Sequence, residues 1–458
     1  SPREAAIYGD RALELLQRAK NRLSEKYGFN PDARTTVEIF PEQKDFAVRT
    51  FGMPDNPGFL GVCFGHVVTA NSPASQAAHP ANWEAVLWHE FCHVITLGLT
   101  RNKMPRWLSE GISVYEEKQA NPTWGQSMTP RFREMVLGDD LTPLRKLSAA
   151  FLSPKSDLHV QFAYYESSLV VEFLVERFGF ENLKQTLRDL GAGTDVNEAI
   201  AAHTEPMDKL EEDFAAFARE RAEQFGPGLD WKKFKPINPG AGAASAADLA
   251  EKYPTNFWAL TDHARRLVAE KKWEQAKAPL SKLVELYPGD TSADSASVLL
   301  ARVHRELKES DAEREVLSRL AALEADATEV FLRLMELGEA ARDWPAVAQN
   351  AERFLAVNPL LPQPYRHLAG ANEELGKTDA AIQSYQKLLL LDPPNPAEVH
   401  FRLARLLRQA GDPAAKRQVL QALEEAPRFR EAHRLLLEIN RQSPAKESAP
   451  ADAPLKQP

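Results

Sequence analysis

Hydrophobic positions recur at helical spacing along most of the chain, with one interruption near its start. Residues 3–27 carry an apolar stripe with a period of about 3.6 and are followed by Gly28, which predicts an amphipathic helix. Three short runs rich in β-branched and aromatic residues then predict strands, at residues 35–40, 46–51 and 59–70. The pattern becomes helical again from Asn82. The first part of the chain is therefore predicted to be α+β, with a helix, a small sheet and further helices.

The helices predicted after the strands begin and end at recognisable capping residues. Asn82 can cap a helix at residues 83–97, Gly98 suits its C-terminal end, and Pro105 can begin the next one. The full set is predicted at residues 83–97, 105–118, 144–151, 162–178, 181–190 and 207–224.

The second half of the chain repeats itself. A connector rich in Gly, Pro and Ala (residues 225–246) precedes it, and Pro288, Pro359, Pro393 and Pro427 each end a helical hairpin. The last three prolines are 34 residues apart, and the first gap of 71 is about two units. The clearest unit has residues of the tetratricopeptide pattern at Tyr365, Leu368, Ala369, Gly376, Ala381, Tyr385 and Pro393. The region resembles about five such repeats at residues 250–427, capped by a helix at 431–441, which would stack into a solenoid.

Charge and composition exclude several classes of partner. The formal net charge is −9 and no long basic run occurs, which argues against nucleic acid or an anionic membrane as the main partner. No stretch reaches the ~18 apolar residues that a membrane span needs. Two cysteines, Cys63 and Cys92, are too few for a disulfide framework. They could form a single disulfide bond with each other, or both could be free thiols. The start at Ser1 is expected to reflect processing, and a periplasmic or secreted location is favoured over a cytoplasmic one.

The decisive chemical motif is His89-Glu90-Phe91-Cys92-His93. Two histidines at i and i+4 lie on one face of a helix, so both imidazoles can reach one cation. Glu90 leans along the same side without being placed to ligate, and it can take a proton from water and deliver it to a leaving amine. Phe91 and Cys92 fall on other faces and are expected to pack in the core.

A third ligand is available seventeen residues further on, at Glu110. A carboxylate there leaves a fourth position open, which is the arrangement of a catalytic rather than a structural zinc. The alternatives are that the two histidines are unrelated core or surface residues and that Glu110 is a solvated acid of its helix.

These residues carry a family resemblance. HEFCHVITL followed by MPRWLSEGISVYEE resembles the peptidase-MA-like group of gluzincins, which read HE-x-x-H and then W-L-x-E-G-x-A-x-Y. The resemblance covers residues 3–224 in layout, and many members of the group are fused to tetratricopeptide repeats. It implies that His89, His93 and Glu110 hold Zn2+ and that Glu90 is the general base.

The resemblance also implies a residue that stabilises the oxyanion. The group has an A-Y-x-Q-S segment at the start of a later helix, which here reads Ala-Tyr-Tyr-Glu-Ser at residues 163–167. Tyr164 is the matching residue, with Tyr165 and His159 as substitutes, and an ordinary half-buried aromatic is the alternative. Glu166 replaces the usual Gln, which puts a polar role at that position in doubt.

Two departures from the group bear on activity. The strand at residues 58–70 lacks a Gly-x-Met-x-Asn-like segment, the amine anchor of aminopeptidases, so an endopeptidase is favoured. Val114 stands where an acid would orient a metal ligand, which leaves Ser113 or Glu117 to serve. The strand at residues 58–70 precedes the helix that contains His89 and His93. It could pair with an extended peptide substrate, or it could be an ordinary strand of the sheet.

The predicted architecture is therefore an α+β zincin-like metallopeptidase domain followed by an all-α tetratricopeptide-repeat solenoid. Its predicted segments are the peptidase domain (1–225), a linker (226–249), the repeats with their cap (250–441) and a disordered tail (442–458). The predicted function is hydrolysis of peptide bonds in a peptide or protein substrate, with a protein partner bound through the repeats. The alternatives are a repeat-based interaction protein with an inactive peptidase-like domain, and a zinc hydrolase acting on a non-peptide amide.

Overall fold

The computed structural model describes residues 1–54, 58–76, 81–234 and 246–442. It divides into two compact units: Ser1–Ala340 with Arg353–Pro359, and Ala341–Glu352 with Leu360–Pro458. The predicted boundary at the linker stays a prediction. Most of the linker (235–245) and the tail from residue 443 lie outside the described residues, as does His79, which is near the metal motif in sequence but lacks the spacing of a ligand.

The chain begins with the predicted amphipathic helix. A short helix α1 (Pro2–Glu4) and a π-helical turn (Ala5–Gly9) lead into α2 (Asp10–Tyr27). One face of α2 is buried, with Leu15 and Leu23 at most 3% exposed. Gly28 ends the helix in the left-handed conformation, at a φ of 64°. The prediction for residues 3–27 is confirmed.

The sheet has three strands: β1 (Thr36–Phe40), β2 (Gly61–Phe64) and β3 (Val67–Asn71), in the order β1-β3-β2. β1 runs parallel to β3, and β2 pairs with β3 antiparallel. The single strand predicted at residues 59–70 is therefore a hairpin. Its turn is made by Gly65, whose φ of 65° suits a two-residue hairpin loop. β2 lies at the edge of the sheet.

The strand predicted at residues 46–51 is wrong, because this segment belongs to helix α3 (Gln43–Phe51). A run of six residues with two buried positions fits the hydrophobic period of a helix as well as that of a strand, so tertiary packing decides which of the two forms. Phe46 and Ala47 are fully buried, and Phe46 contacts the ring of Phe40 on β1. Gly52 closes the helix with a φ of 72°.

The rest of the predicted peptidase region is helical. Its helices are α4 (Trp83–Leu99), α5 (Arg106–Ala120), α6 (Pro130–Leu137), α7 (Leu147–Leu152), α8 (Asp157–Phe178), α9 (Phe180–Ala192), α10 (Val196–His203) and α11 (Met207–Glu223), with 3-10 turns at Pro73–Gln76 and Leu144–Lys146. α6 and α10 were not predicted. Gly98 does not end α4, which continues to Leu99, and a Cβ on Gly98 would lie 2.6 Å from the ring of Phe29.

Helices α5 and α8 pack backbone to backbone. A Cβ on Gly111 would lie only 2.5 Å from the carbonyl oxygen of Ser167, so this close approach needs glycine. Helix α4 is buried on almost every side, including Trp88, Phe91, Cys92 and Ile95. The buried α4 and the close pair α5–α8 are the framework of the site.

The first unit also contains repeat helices. They are α12 (Ala246–Lys252), α13 (Phe257–Ala269), α14 (Trp273–Leu286), α15 (Ala296–Glu306), α16 (Ser310–Ala321) and α17 (Thr328–Ala341), followed by α18 (Trp344–Leu355) at the division between the units. Residues of this region accept hydrogen bonds from the first residue of α4 and from its N-cap. The N–H of Asn82 donates to Asp326 Oδ1 (3.0 Å), and the indole N–H of Trp83 donates to the carbonyl oxygen of Leu355 (2.9 Å).

The second unit consists of helical hairpins. Its helices are α19 (Pro362–Glu374), α20 (Thr378–Leu390), α21 (Pro396–Gln409), α22 (Ala415–Glu425) and α23 (Arg430–Gln442). The predicted repeat positions Tyr365, Ala369, Ala381 and Tyr385 are all at most 3% exposed. A further cluster joins the last three helices through Ala404, Val419, Ala422, Ala432 and Leu435. In the part of the chain that the structure describes, no helix is long and apolar enough to cross a membrane.

Candidate metal centre

Three predicted ligands meet at one point. The ligand atoms of His89, His93 and Glu110 all lie within 4.8 Å of one another. Glu110 Oε2 is 3.2 Å from His89 Nε2 and 3.5 Å from His93 Nε2. Two ligands held ~2.0–2.1 Å from one tetrahedral zinc are about 3.3–3.4 Å apart, so both distances suit such an ion. The donor set therefore fits Zn2+.

Local helix geometry places these side chains. His89 and His93 are one turn apart on α4, with ring centroids separated by 4.8 Å, and Glu110 comes from the first turns of α5. His93 is buried, whereas His89 and Glu110 are half-buried. The three ligands are thus mostly buried, with His89 and Glu110 partly open to solvent.

The outer nitrogen of each histidine has a partner. His89 Nδ1 is 2.5 Å from Glu117 Oε1, and His93 Nδ1 is 2.8 Å from Ser109 Oγ and 3.3 Å from Ser113 Oγ. Such contacts fix the ring orientation and leave Nε2 for a metal. The acid missing at position 114 is therefore replaced by Glu117, one turn further along α5, as the sequence left open.

The three ligands are electrostatically matched. Burial raises the pKa of Glu110, but hydrogen bonds from His89 and His93 outweigh it and hold that pKa below its ordinary value. Burial lowers the pKa of His89, but its hydrogen bonds to Glu110 and Glu117 outweigh burial and raise the pKa well above the usual range. Without a metal ion, the pocket thus stabilises the Glu110 carboxylate against a protonated imidazole, and a bound cation would take the place of that proton.

Glu90 lies beside the ligands without joining them. It is 6% exposed, and its Oε2 has no hydrogen-bond partner among the described residues. Burial raises its pKa. Strand β2 passes directly over it, since a Cβ on Gly61 would lie 2.7 Å from Glu90 Cγ. An unpaired, desolvated carboxylate at this place is suited to accept a proton.

Of the three candidates for oxyanion stabilisation, Tyr164 lies nearest the ligands. Arg106 links it to them, with Nη2 at 3.2 Å from Tyr164 Oη and Nε at 3.3 Å from Glu110 Oε1. His159 instead contacts Ser156 and Asp140.

The other candidate, Tyr165, packs elsewhere. Its ring stacks on Phe132 at 5.0 Å, and its hydroxyl points to Met128 Sδ. Burial raises the pKa of Tyr164, and the nearby carboxylate of Glu110 acts in the same direction, so the phenol keeps its proton.

Glu166 faces away from the ligands. It is fully buried in α8, its Oε1 accepts the backbone N–H of Thr142, and its Oε2 has no partner in the described parts of the chain. Burial raises the pKa of Glu166 to about 8. The acid that replaces the usual Gln therefore holds the segment before α7, a structural position.

Both cysteines are free, and no disulfide joins Cys63 to Cys92. Cys92 is fully buried on α4, as expected from its face of the helix. Cys63, on β2, contacts the carbonyl oxygen of Gly65 at 3.6 Å.

Sequence analysis missed two residues of the site: Ser109, which contacts His93, and Arg106. For Arg106, its spacing of four residues before Glu110 was the available signal, because side chains at i and i+4 meet on a helix. Such pairs are common on solvated faces, so the spacing alone did not mark it.

Comparisons with known proteins match two different parts of the chain. Residues 22–219 match the family model described as the Peptidase MA superfamily, which confirms the resemblance over that part of the chain. A second model, described as Bacterial transcriptional activator domain, matches residues 255–392, within the repeat helices. No curated protein matches the chain.

The solved structures that match are similar to the helical part. YrrB, titled a TPR protein with an unusual peptide-binding site, is 14% identical with a TM-score of 0.33, covering 43% of this chain and all of YrrB. A MamA protein is 17% identical with a TM-score of 0.30, covering 36% of this chain and 89% of its own. MamA from Desulfovibrio magneticus RS-1 is 16% identical with a TM-score of 0.28, covering 36% and 92%.

Proposed function

We propose that the protein is a zinc-dependent endopeptidase whose catalytic domain has a zincin-like α+β fold. The observation that carries the proposal is the spacing of three donors, His89, His93 and Glu110, close to the buried carboxylate of Glu90, whose Oε2 has no partner among the described residues. The Peptidase MA match spans all four residues.

Zinc, when bound, would polarise the scissile carbonyl and lower the pKa of an adjacent water molecule. Glu90 is the general base in this proposal. Its buried carboxylate would take the proton of the attacking water and return it to the leaving amine. The raised pKa of Glu90 favours this, because a base with a pKa nearer to neutrality returns its proton more readily.

Tyr164 is proposed to stabilise the oxyanion. Its hydroxyl is joined to Glu110 through Arg106, and the phenol stays protonated, so it can donate to a developing negative charge. A preorganised donor of this kind is worth about 10²–10³ in kcat.

Strand β2 is the proposed substrate-binding edge. Among the described residues it pairs only with β3, and Gly61 lies directly over Glu90. An extended peptide that pairs with this edge would bring a backbone carbonyl to the metal. The absence of an amine anchor from the sequence of residues 58–70 favours internal cleavage. The repeat helices are proposed to bind a protein partner or the substrate.

The test compares wild type with Glu110→Ala and Glu90→Gln. Elemental analysis should find about one zinc per chain in wild type and Glu90→Gln, and much less in Glu110→Ala. A peptide library should be cleaved by wild type alone. Cleavage retained in Glu90→Gln would refute the mechanism. An absence of zinc from all three proteins, after reconstitution, would favour a repeat-based interaction protein with an inactive domain.

A further inference from the structure

A single guanidinium joins the third metal ligand to the residue proposed to stabilise the oxyanion. Arg106 Nε donates to Glu110 Oε1 (3.3 Å), and Arg106 Nη2 donates to Tyr164 Oη (3.2 Å). We propose that Arg106 is a positioning residue that orients the Tyr164 hydroxyl towards substrate and keeps Glu110 bound to the cation through one oxygen. This inference rests on the proposed function.

The direction of the hydrogen bond to Tyr164 follows from chemistry. An arginine side chain can only donate hydrogen bonds, so Tyr164 Oη must accept the one from Arg106. The hydroxyl proton then points away from Arg106 and remains available to donate. Without Arg106, the carboxylate of Glu110, whose charge already acts on this phenol, could accept that proton, and a bond to it would turn Tyr164 away from the substrate.

The two oxygens of Glu110 have different partners. Oε2 is the atom 3.2 and 3.5 Å from the two histidine Nε2 atoms, whereas Oε1 accepts from Arg106. Because Oε1 is occupied, the carboxylate presents one oxygen to a cation. A carboxylate released from Arg106 could turn and bind a cation through both oxygens, which would add a fifth donor and crowd the position that substrate must occupy.

Arg106 is itself held in place. Its guanidinium lies 5.8 Å from the ring centroid of Phe59 and 5.2 Å from that of Phe151, and Phe151 also packs edge-on against Tyr164. Its donors form a rigid planar fork, so it can serve two acceptors at once with little loss of freedom. A lysine would keep the charge but could not reproduce this fixed pair of bonds.

The first experiment examines the metal. Cobalt-substituted wild type, Arg106→Gln and Arg106→Lys are compared by visible absorption, which is strong for four-coordinate and weaker for five-coordinate cobalt. We expect the absorption to fall in Arg106→Gln as Glu110 becomes bidentate, and to recover in part in Arg106→Lys. Arg131→Gln is the matched control, because Arg131 is also in the first turn of a helix and paired to a glutamate on it.

The second experiment is a double-mutant cycle with Tyr164→Phe. Arg106→Gln should lower kcat about 10–100-fold, with KM changed less than about threefold. The same change in the Tyr164→Phe background should add almost nothing, because both substitutions remove one effect. Arg131→Gln should behave as wild type.

Several outcomes overturn the inference. Wild-type spectra and kinetics in Arg106→Gln would do so, as would full additivity in the cycle. A KM increase confined to acidic peptides would also do so, since Arg106 would then bind substrate directly. If wild type binds cobalt but cleaves no peptide, the proposed peptidase activity is refuted. The cobalt spectra would still test whether Arg106 orients the carboxylate of Glu110. Wild type that binds neither cobalt nor zinc would refute both proposals.

Discussion

Replacing Glu166 with Gln should stabilise the protein in a pH-dependent way. Burial raises the pKa of this carboxyl from 4.5 to about 8, so the folded protein holds a proton that the unfolded chain releases above pH 4.5. Wild-type stability therefore falls as pH rises from about 4.5 to about 8. Glutamine is neutral throughout and can accept the same N–H of Thr142 through its carbonyl oxygen.

The magnitude follows from the pKa difference. At pH 7 the 2.5 units between pH 7 and 4.5 correspond to about 3 kcal/mol, at 1.36 kcal/mol per unit. At pH 5 the same reasoning gives less than about 1 kcal/mol. An amide N–H without a partner would subtract about 1 kcal/mol at both pH values. The gain at pH 7 is thus expected to exceed that at pH 5 by about 2–3 kcal/mol.

The assay is urea unfolding followed by circular dichroism, at pH 5 and pH 7, for wild type and Glu166→Gln. Glu172→Gln is the control on the same helix, where the side chain is 25% exposed and pairs with Arg221. It should change stability by less than about 1 kcal/mol at either pH. An equal effect of Glu166→Gln at both pH values, or destabilisation at pH 7, would refute the idea of a desolvated carboxyl.

Three further predictions concern the site and its support. Glu117→Gln should weaken zinc affinity about 10–100-fold by releasing His89 Nδ1, measured by chelator competition; unchanged affinity would deny Glu117 an orienting role. Gly111→Ala should lower the melting temperature by several degrees, because its Cβ would overlap the Ser167 carbonyl, and an unchanged melting temperature would argue against the close α5–α8 contact. Asp326→Ala should cost about 1 kcal/mol in urea unfolding by removing the acceptor of the Asn82 N–H; no loss would mean that this contact is not formed in solution.

Much of the candidate site was accessible from sequence because helical geometry is local. A spacing of i and i+4 on α4 places His89 and His93 together whatever else the chain does. Glu110 could be named because it follows His93 at the spacing, and within the motif, that the peptidase-MA-like group shows. The repeat positions, such as Tyr365 and Ala381, were likewise predicted because each repeat packs mainly against its neighbours in sequence.

Short apolar runs were less certain. Residues 46–51 fit the period of a strand and of a helix about equally well, and the helix forms because Phe46 packs against β1. The run at residues 59–70 was read as one strand, although Gly65 divides it into a hairpin. The hairpin bears on the proposed function, because it makes β2 an edge strand over Glu90 in the described structure.

The sequence by itself thus determined most of the helices, the repeat pattern and the candidate metal ligands, whose geometry depends on neighbours within one or two helical turns. Only the tertiary structure decided which polar groups support them. Glu117 on His89, Arg106 between Glu110 and Tyr164, and Asp326 at the start of α4 depend on how separate helices and loops approach one another. Such contacts join residues up to 244 positions apart, and no local periodicity encodes them.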